Sequence, residues 1–282
     1  MKRLWGTLLL SGMLAVGVMP PAEAGMGVSV YPSRFRLQKG AGETASGKVR
    51  IDNEGTYPVQ IVVEVTDMIS RVNEEGILLR DEAPPGTSPY SCARWIRVVS
   101  GEGAVIPAGQ SSEVEFVVSP PPSVTSGGYS AYLFLRGQPA EGFDERDADR
   151  PQVRLVTIPR MGVSVIYEVE GTVERTGELT SLEFQPPADG KPMRVLYGFR
   201  NTGNAEVVVA ASYHILDGQG RMAGNGALRT MKSFPGDAGK AETTLTDALA
   251  PGKYTMLITF ELGPDSTEAI VRELEFEVPA GG

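Results

Sequence analysis

The chain has 282 residues, with 26 Lys and Arg against 35 Asp and Glu and a formal net charge of −9. An acidic chain without a basic run lacks the positive footprint that nucleic-acid binding needs. With one Cys and one His, an intramolecular disulfide is excluded and a zinc site would have to lean on carboxylates. The 34 glycines and 21 prolines suit many short strands and turns, and no heptad or long helical period runs through the chain.

The N-terminus reads as a targeting segment. Lys2 and Arg3 precede an apolar run from Leu4 to Val18, and Ala22-Glu23-Ala24 supplies a small-x-small cleavage pattern. The run is shorter than the roughly 20 residues of a membrane-spanning helix. Residues 1–24 are therefore expected to be a cleaved signal peptide. The mature chain from Gly25 is expected to be exported without membrane insertion, periplasmic or secreted.

In chain order, Val28 to Tyr31 and Phe35 to Leu37 form a first strand interrupted at Pro32, which suits a sheet edge. Lys48 to Asp52 and Val59 to Val65 are strands joined through Asn53-Glu54-Gly55 and Pro58. Asp67 to Ser91 is polar and punctuated by Gly76 and by Pro84-Pro85-Gly86, so a loop is predicted there. Arg94 to Val99 alternates around Trp95, with Cys92 expected as a small, partly buried neighbour of that ring. Pro107-Ala108-Gly109 is a turn before a strand at Val114 to Val118. Three prolines at 120–122 then lead to Gly127-Gly128 and the apolar run Tyr129 to Arg136.

After a charged interruption from Gln138 to Pro151, Val153 to Val169 reads as one long strand. Val153, Leu155, Thr157, Pro159, Met161, Val163, Val165, Tyr167 and Val169 make an almost unbroken apolar face, as for a strand laid on a core. The alternate positions are mixed. Among them, Val156 and Ile158 put apolar side chains on the face predicted to look away from that core. Pro159 cannot donate to a ladder, which favours a sheet edge or bulge over a sheet centre. An edge strand that is apolar on both faces needs a partner or a cover. The cover could be a captured strand of another chain, the 138–151 loop or the second domain.

The second half repeats this grammar. Arg194 to Arg200 and Val207 to Ile215 are joined by Asn201-Thr202-Gly203-Asn204, and Leu249-Ala250-Pro251-Gly252 echoes the earlier Pro-Ala-Gly turn. Tyr254 to Phe260 and Ala269 to Val278 close the set. The expected fold is all-β, two immunoglobulin-like sandwiches in tandem at 25–171 and 172–282.

Chemistry-bearing clusters are sparse. His214 lies inside a predicted strand, where a structural role outweighs that of a general base. Asp144, Asp147 and Asp149 interleave with Arg146 and Arg150 and lack EF-hand spacing. Gly218, Gly220 and Gly224 sit between strands, which excludes a phosphate loop. No enzymatic activity, cofactor or metal is expected.

Taken together, Tyr31-Pro32-Ser33-Arg34, Val49 to Asn53 with Pro58-Val59, the Pro-Ala-Gly turn before Val114, Tyr129 to Arg136 and Val165-Ile166-Tyr167 resemble the PapD-like periplasmic chaperones of pilus assembly. The resemblance covers most of 27–171 and, less specifically, the second sandwich. It implies a chaperone that lends an edge strand to an incomplete pilin-like subunit by β-augmentation, with an outer-membrane usher as a further partner. It also implies two basic residues that hold the subunit's C-terminal carboxylate. Arg34 matches the first. Arg160 is nearest to the second, a couple of positions off. Val153, Leu155, Val156 and Ile158 would supply the lent strand. On an edge strand a lone Arg is also ordinarily a solvated charge or a guard against aggregation. A second resemblance, to WxL-interacting surface proteins, rests on the Asn-rich turn, the Gly76 loop, the Trp95 strand and Ser126-Gly127-Gly128. It implies an envelope adhesion or peptidoglycan-binding module.

Overall fold

The structure is a computed structural model that describes residues 27–140, 158–187, 191–263 and 269–279. The expected signal peptide, the aspartates at 144, 147 and 149, and Val153, Leu155 and Val156 lie outside the described residues.

The first part contributes β1 (Val28–Tyr31), β2 (Arg34–Lys39), β3 (Ala45–Asn53), β4 (Val59–Val72), β5 (Leu78–Ala83), β6 (Ile96–Ser100), β7 (Val105–Ile106), β8 (Ser111–Val118), β9 (Gly128–Pro139) and β10 (Arg160–Val169). One sheet has the order β1-β3-β8-β6, and the facing sheet β2-β10-β9-β4-β5 with β7 on β4. Strict alternation makes the inner faces. Along β3, Ala45, Val49, Ile51 and Asn53 are buried while Ser46, Lys48 and Arg50 are exposed. Val49, Ile51, Val114 and Phe116 from one sheet meet Ile61, Leu133, Leu135, Val165 and Tyr167 from the other. Each such side chain contributes about 1.5–3 kcal/mol on burial.

The second part contributes β11 (Gly177–Gln185), β12 (Met193–Asn201), β13 (Val207–Asp217), β14 (Met222–Ala227), β15 (Met231–Ser233), β16 (Ala238–Leu245), β17 (Gly252–Leu262) and β18 (Ala269–Val278). Its sheets run β11-β12-β16 and β14-β13-β17-β18, with β15 on β13. Tyr197 and Phe199 pack on Val209, Met256, Ile258 and Phe260 between them. The fold is two β-sandwiches in series.

Several expectations are corrected. The single first strand is two strands in different sheets, because the chain crosses from one sheet to the other at Pro32 and Ser33. The predicted loop after Asp67 is largely a hairpin: β4 runs on to Val72 and β5 returns beside it. Asp67 reads as a loop residue but is fully buried, where it accepts hydrogen bonds from Ser88 N (2.9 Å) and Ser91 Oγ (2.5 Å). Of the strand expected over Val153–Val169, the described part runs from Arg160, with Ile158 and Pro159 outside it, and residues 153–157 lie outside the described residues. Nor is β10 an edge throughout, since it lies between β9 and β2 in its C-terminal part. β11, β14 and β16 had no predicted counterpart. Their buried positions are few and mixed with glycine and charge, so the period-2 signal is weak.

Candidate partner-binding site

The site forms where β10 changes from edge to interior. Arg160–Glu168 pair antiparallel with Arg136–Gly128 of β9. The parallel strand β2 accompanies only Ser164–Val169, starting with Arg34 opposite Ser164. The N–H of Ser164 donates to Ser33 O (2.9 Å) at the start of that ladder. Successive backbone groups of a strand point to opposite neighbours. The Pro159 carbonyl accepts from Gly137 N (3.0 Å) on the β9 side. The N–H and C=O of Arg160 and Gly162 therefore point the other way, where no strand lies among the described residues. Ile158, just before this stretch, is 47% exposed.

The two faces of β10 have different neighbours. Val163, Val165, Tyr167 and Val169 enter the first core. Ser164, Ile166 and Glu168 were predicted to look away from it, and they are nonetheless buried. The second sandwich is what covers them: Ile166 shares a small cavity wall with Tyr90, Glu206 and Phe234.

The Gly127-Gly128 pair makes this approach possible. Gly127 has φ +85°, and a Cβ on Gly128 would lie 2.8 Å from the Ala205 Cβ. The Gly128 N–H donates to Asn204 O (2.9 Å). Asn204 is fixed in turn, donating to Thr172 O (2.9 Å) and accepting from Glu174 N (2.7 Å). This turn presents Glu206 to the first sandwich.

At the level where β2 begins, register aligns Arg34, Ser164, Tyr132 and Thr66 across four strands, on the face turned to the second sandwich. Arg34 Nη2 donates to Glu206 Oε1 (2.8 Å); the Arg side chain is 34% exposed and the Glu side chain 4%. Glu206 Oε2, Ser164 Oγ and Thr66 Oγ1 are buried without a hydrogen-bond partner among the described residues. Burial first, and then the Glu206 carboxylate, push the Tyr132 phenol above its usual range, with Ser164, Arg80 and Arg34 acting the other way. The arrangement is a row of polar side chains on the face turned to the second sandwich, with Arg34 at its partly exposed end.

Arg160 sits at a different level. It lies four residues before Ser164, about 13 Å along the strand. It donates to Glu64 Oε2 (2.9 Å) and Glu82 Oε1 (2.5 Å), with its guanidinium 3.7 Å from the Phe134 ring centre. A hydrogen bond from Arg160 holds the Glu82 carboxyl below its usual range. Arg34 and Arg160 share a sheet face, but they do not converge on one point.

Reasoning from the sequence missed three residues of this region: Tyr132, Glu206 and Glu168. Glu168 is 1% exposed. It is paired with Arg175 and, at 3.6 Å, with Arg36 Nε. A carboxylate inside an otherwise apolar strand was the available signal, since charges are fully buried only when paired. A second contact locks the sandwiches together: Asp237 Oδ2 accepts from Ser70 Oγ (2.7 Å) and Arg80 Nη1 (2.8 Å).

Other candidate groups are elsewhere. His214 is an exposed position of β13, and Cys92 is fully buried in the first core. Among the described residues no group of three or more His, Cys, Asp or Glu could hold a metal ion, and no helix is long and apolar enough to cross a membrane.

No protein-family model matches the chain, and no curated protein matches it. Solved structures do. The chaperone–tip adhesion subunit complex of archaic Csu pili from Acinetobacter baumannii matches with TM-score 0.46 at 11% identity, covering 88% of this chain and 97% of that one. The class 5 fimbriae chaperone CfaA matches with TM-score 0.45 at 12% identity, covering 88% and 98%. The E. coli chaperone DraB matches with TM-score 0.41 at 12% identity, covering 91% and 97%. Many of the similar structures are PapD-like fimbrial chaperones.

Proposed function

We propose that this is an exported, non-enzymatic, chaperone-like binding protein that captures a β-rich secreted subunit by strand addition. The observation that carries the reading is the half-paired state of β10: β2 accompanies it only from Ser164 onward, so Arg160 and Gly162 offer backbone groups with no strand beside them among the described residues. A strand supplied by another chain would continue the line of β2 along this edge, gaining main-chain hydrogen bonds and a place against Ile158. If it ran parallel to β10, as β2 does, its C-terminus would stop at Arg34. The guanidinium there is partly exposed and suited to a terminal carboxylate. In this reading Arg160 flanks the path of the captured strand, while Arg34 holds its end. Val153, Leu155 and Val156, outside the described residues, belong to the proposed partner-binding set, and we take Gly171 as the domain division. The pilin-like nature of the partner, the usher and the periplasmic location follow the sequence resemblance.

The test is capture from periplasmic extract by the immobilised mature protein, with Ile158→Asp as the contrast. The variant is expected to stay folded by circular dichroism and to lose a β-rich subunit that the unmutated protein retains. Equal retention of that subunit by both proteins would count against strand lending. Retention on purified peptidoglycan that Ile158→Asp does not abolish would favour the wall-binding alternative.

A further inference from the structure

We infer that Glu206 is an internal occupant of the carboxylate site, one that a partner's terminal carboxylate must displace from Arg34. The inference rests on the strand-capture reading above and adds a residue from the second sandwich to it.

Three observations lead here. First, the carboxylate already facing Arg34 belongs to the chain itself, with Glu206 Oε1 2.8 Å from Arg34 Nη2. Second, this pair is under-satisfied on both sides. It is a single-point contact, whereas guanidinium and carboxylate can form two parallel bonds, and Glu206 Oε2 is buried without a partner among the described residues. A buried polar atom left unpaired costs about 1–3 kcal/mol. Third, strand register sets Ser164, Tyr132 and Thr66 in a row beside Arg34, and the Ser164 and Thr66 hydroxyls are buried without a hydrogen-bond partner among the described residues. Arg34 also keeps a third of its side-chain surface exposed, so a second carboxylate can reach it from outside.

An arriving carboxylate can take two guanidinium N–H groups where Glu206 takes one. Released from Arg34, the Glu206 side chain has hydroxyls of this row, that of Ser164 opposite Arg34 first among them, to turn towards. A neutral end does not compete with Glu206 for the guanidinium charge. Glu206 thus screens the guanidinium and weakens its hold on an arriving carboxylate.

The test compares the mature protein with Glu206→Gln, which keeps the shape and removes the charge. The probe is a labelled synthetic strand peptide of alternating valine and threonine, made once with a free terminal carboxylate and once as the carboxamide. Removing the competing charge is expected to tighten the carboxylate form about tenfold, a change of ~1.4 kcal/mol, with the carboxamide unchanged. In parallel, phenylglyoxal modification of Arg34, read by peptide mass, should run several-fold faster in the variant. Unchanged carboxylate affinity and unchanged Arg34 reactivity would overturn the role of Glu206. The carboxylate anchor would still stand if the free acid outbinds the amide. No preference for the acid in either protein, or no binding of either peptide, would sink the anchor and the screen together. Equal tightening of both peptides would show that the substitution merely loosened the junction, and would also overturn the inference.

Discussion

Asn53 and Asn201 occupy equivalent places in the two sandwiches and make the same set of hydrogen bonds. Each ends a strand, and each is buried. The Asn53 Nδ2 donates to Tyr57 O (2.9 Å) and Ile106 O (2.9 Å), while its Oδ1 accepts from Gly55 N (3.0 Å). The Asn201 Nδ2 donates to Ala205 O (2.9 Å) and Ser233 O (2.8 Å), while its Oδ1 accepts from Gly203 N (2.9 Å). In both cases one amide closes the turn and ties it to the short strand, β7 or β15, that flanks the next long strand.

The first prediction follows from that pairing. Replacing either Asn by Ala strands backbone groups in the interior, at about 1–3 kcal/mol for each group left unsatisfied. Asn53→Ala and Asn201→Ala should therefore each lower the urea midpoint by an amount equivalent to ~2–4 kcal/mol. Asn201→Ala should also disturb the turn that carries Glu206 onto Arg34, since Ala205 O loses its donor. A loss below about 0.5 kcal/mol, the range of ordinary surface changes, would show that water replaces the amide.

The repetition of Asn-x-Gly before a strand was visible in the sequence, and so were the strands whose inner face alternates cleanly, such as β3, β8, β12 and β13. What one-dimensional patterning could not supply was the second neighbour of a face. Ser164, Ile166 and Glu168 read as an outward face because alternation describes only a strand's own sandwich, and nothing local announces that another sandwich covers them. The same blindness hid Glu206, which is 172 residues from Arg34 in sequence. Gly127-Gly128 carried a usable clue. It read as a strand entrance, and its actual work is to let the Asn204 turn come close.

The Arg34–Glu206 contact gives a second prediction. Considered as an edge-strand charge, Arg34 would be dispensable for stability. Considered as the partner of a carboxylate that is 6% exposed, it is not. Removing one member of a buried pair leaves the other charge uncompensated, at a cost of up to ~3–5 kcal/mol for full burial. The 34% exposure of the Arg side chain brings the expected loss for Arg34→Ala to about 1–3 kcal/mol. Glu206→Gln should cost less than Arg34→Ala, because the freed guanidinium can turn to solvent. Combining Arg34→Ala with Glu206→Gln should cost less than the sum of the two single losses. Additive losses in this double-mutant cycle would mean that the two side chains are not coupled.

A third prediction concerns Cys92. Its side chain is fully buried in the first core, and burial first, reinforced by the Asp67 charge, pushes the thiol far up. The thiolate is the reactive form, so the native protein should resist a thiol-specific disulfide reagent. In urea the reaction should go to completion, at a rate that follows unfolding. Fast labelling of the native state would place Cys92 at an opening of the first sandwich.

The last prediction is a pH dependence. The Glu82 carboxyl is held below its usual range, chiefly by the hydrogen bond from Arg160. A carboxylate whose folded-state pKa is depressed binds its proton more readily when unfolded. Its contribution to stability is therefore fully present above the unfolded value, near pH 4.3, and is lost as pH falls through the lower folded value. The pair joins β5 to β10 across the sheet and holds Arg160 over Phe134, so its loss should loosen the start of the lending edge. Glu82 is well exposed, and the effect should accordingly be small. Melting temperatures of the unmutated protein and of Glu82→Gln should differ at pH 6 and converge as the pH drops below about 4. A constant gap across that range would show that the ion pair adds nothing and that the substitution alters only the packing beside Arg160.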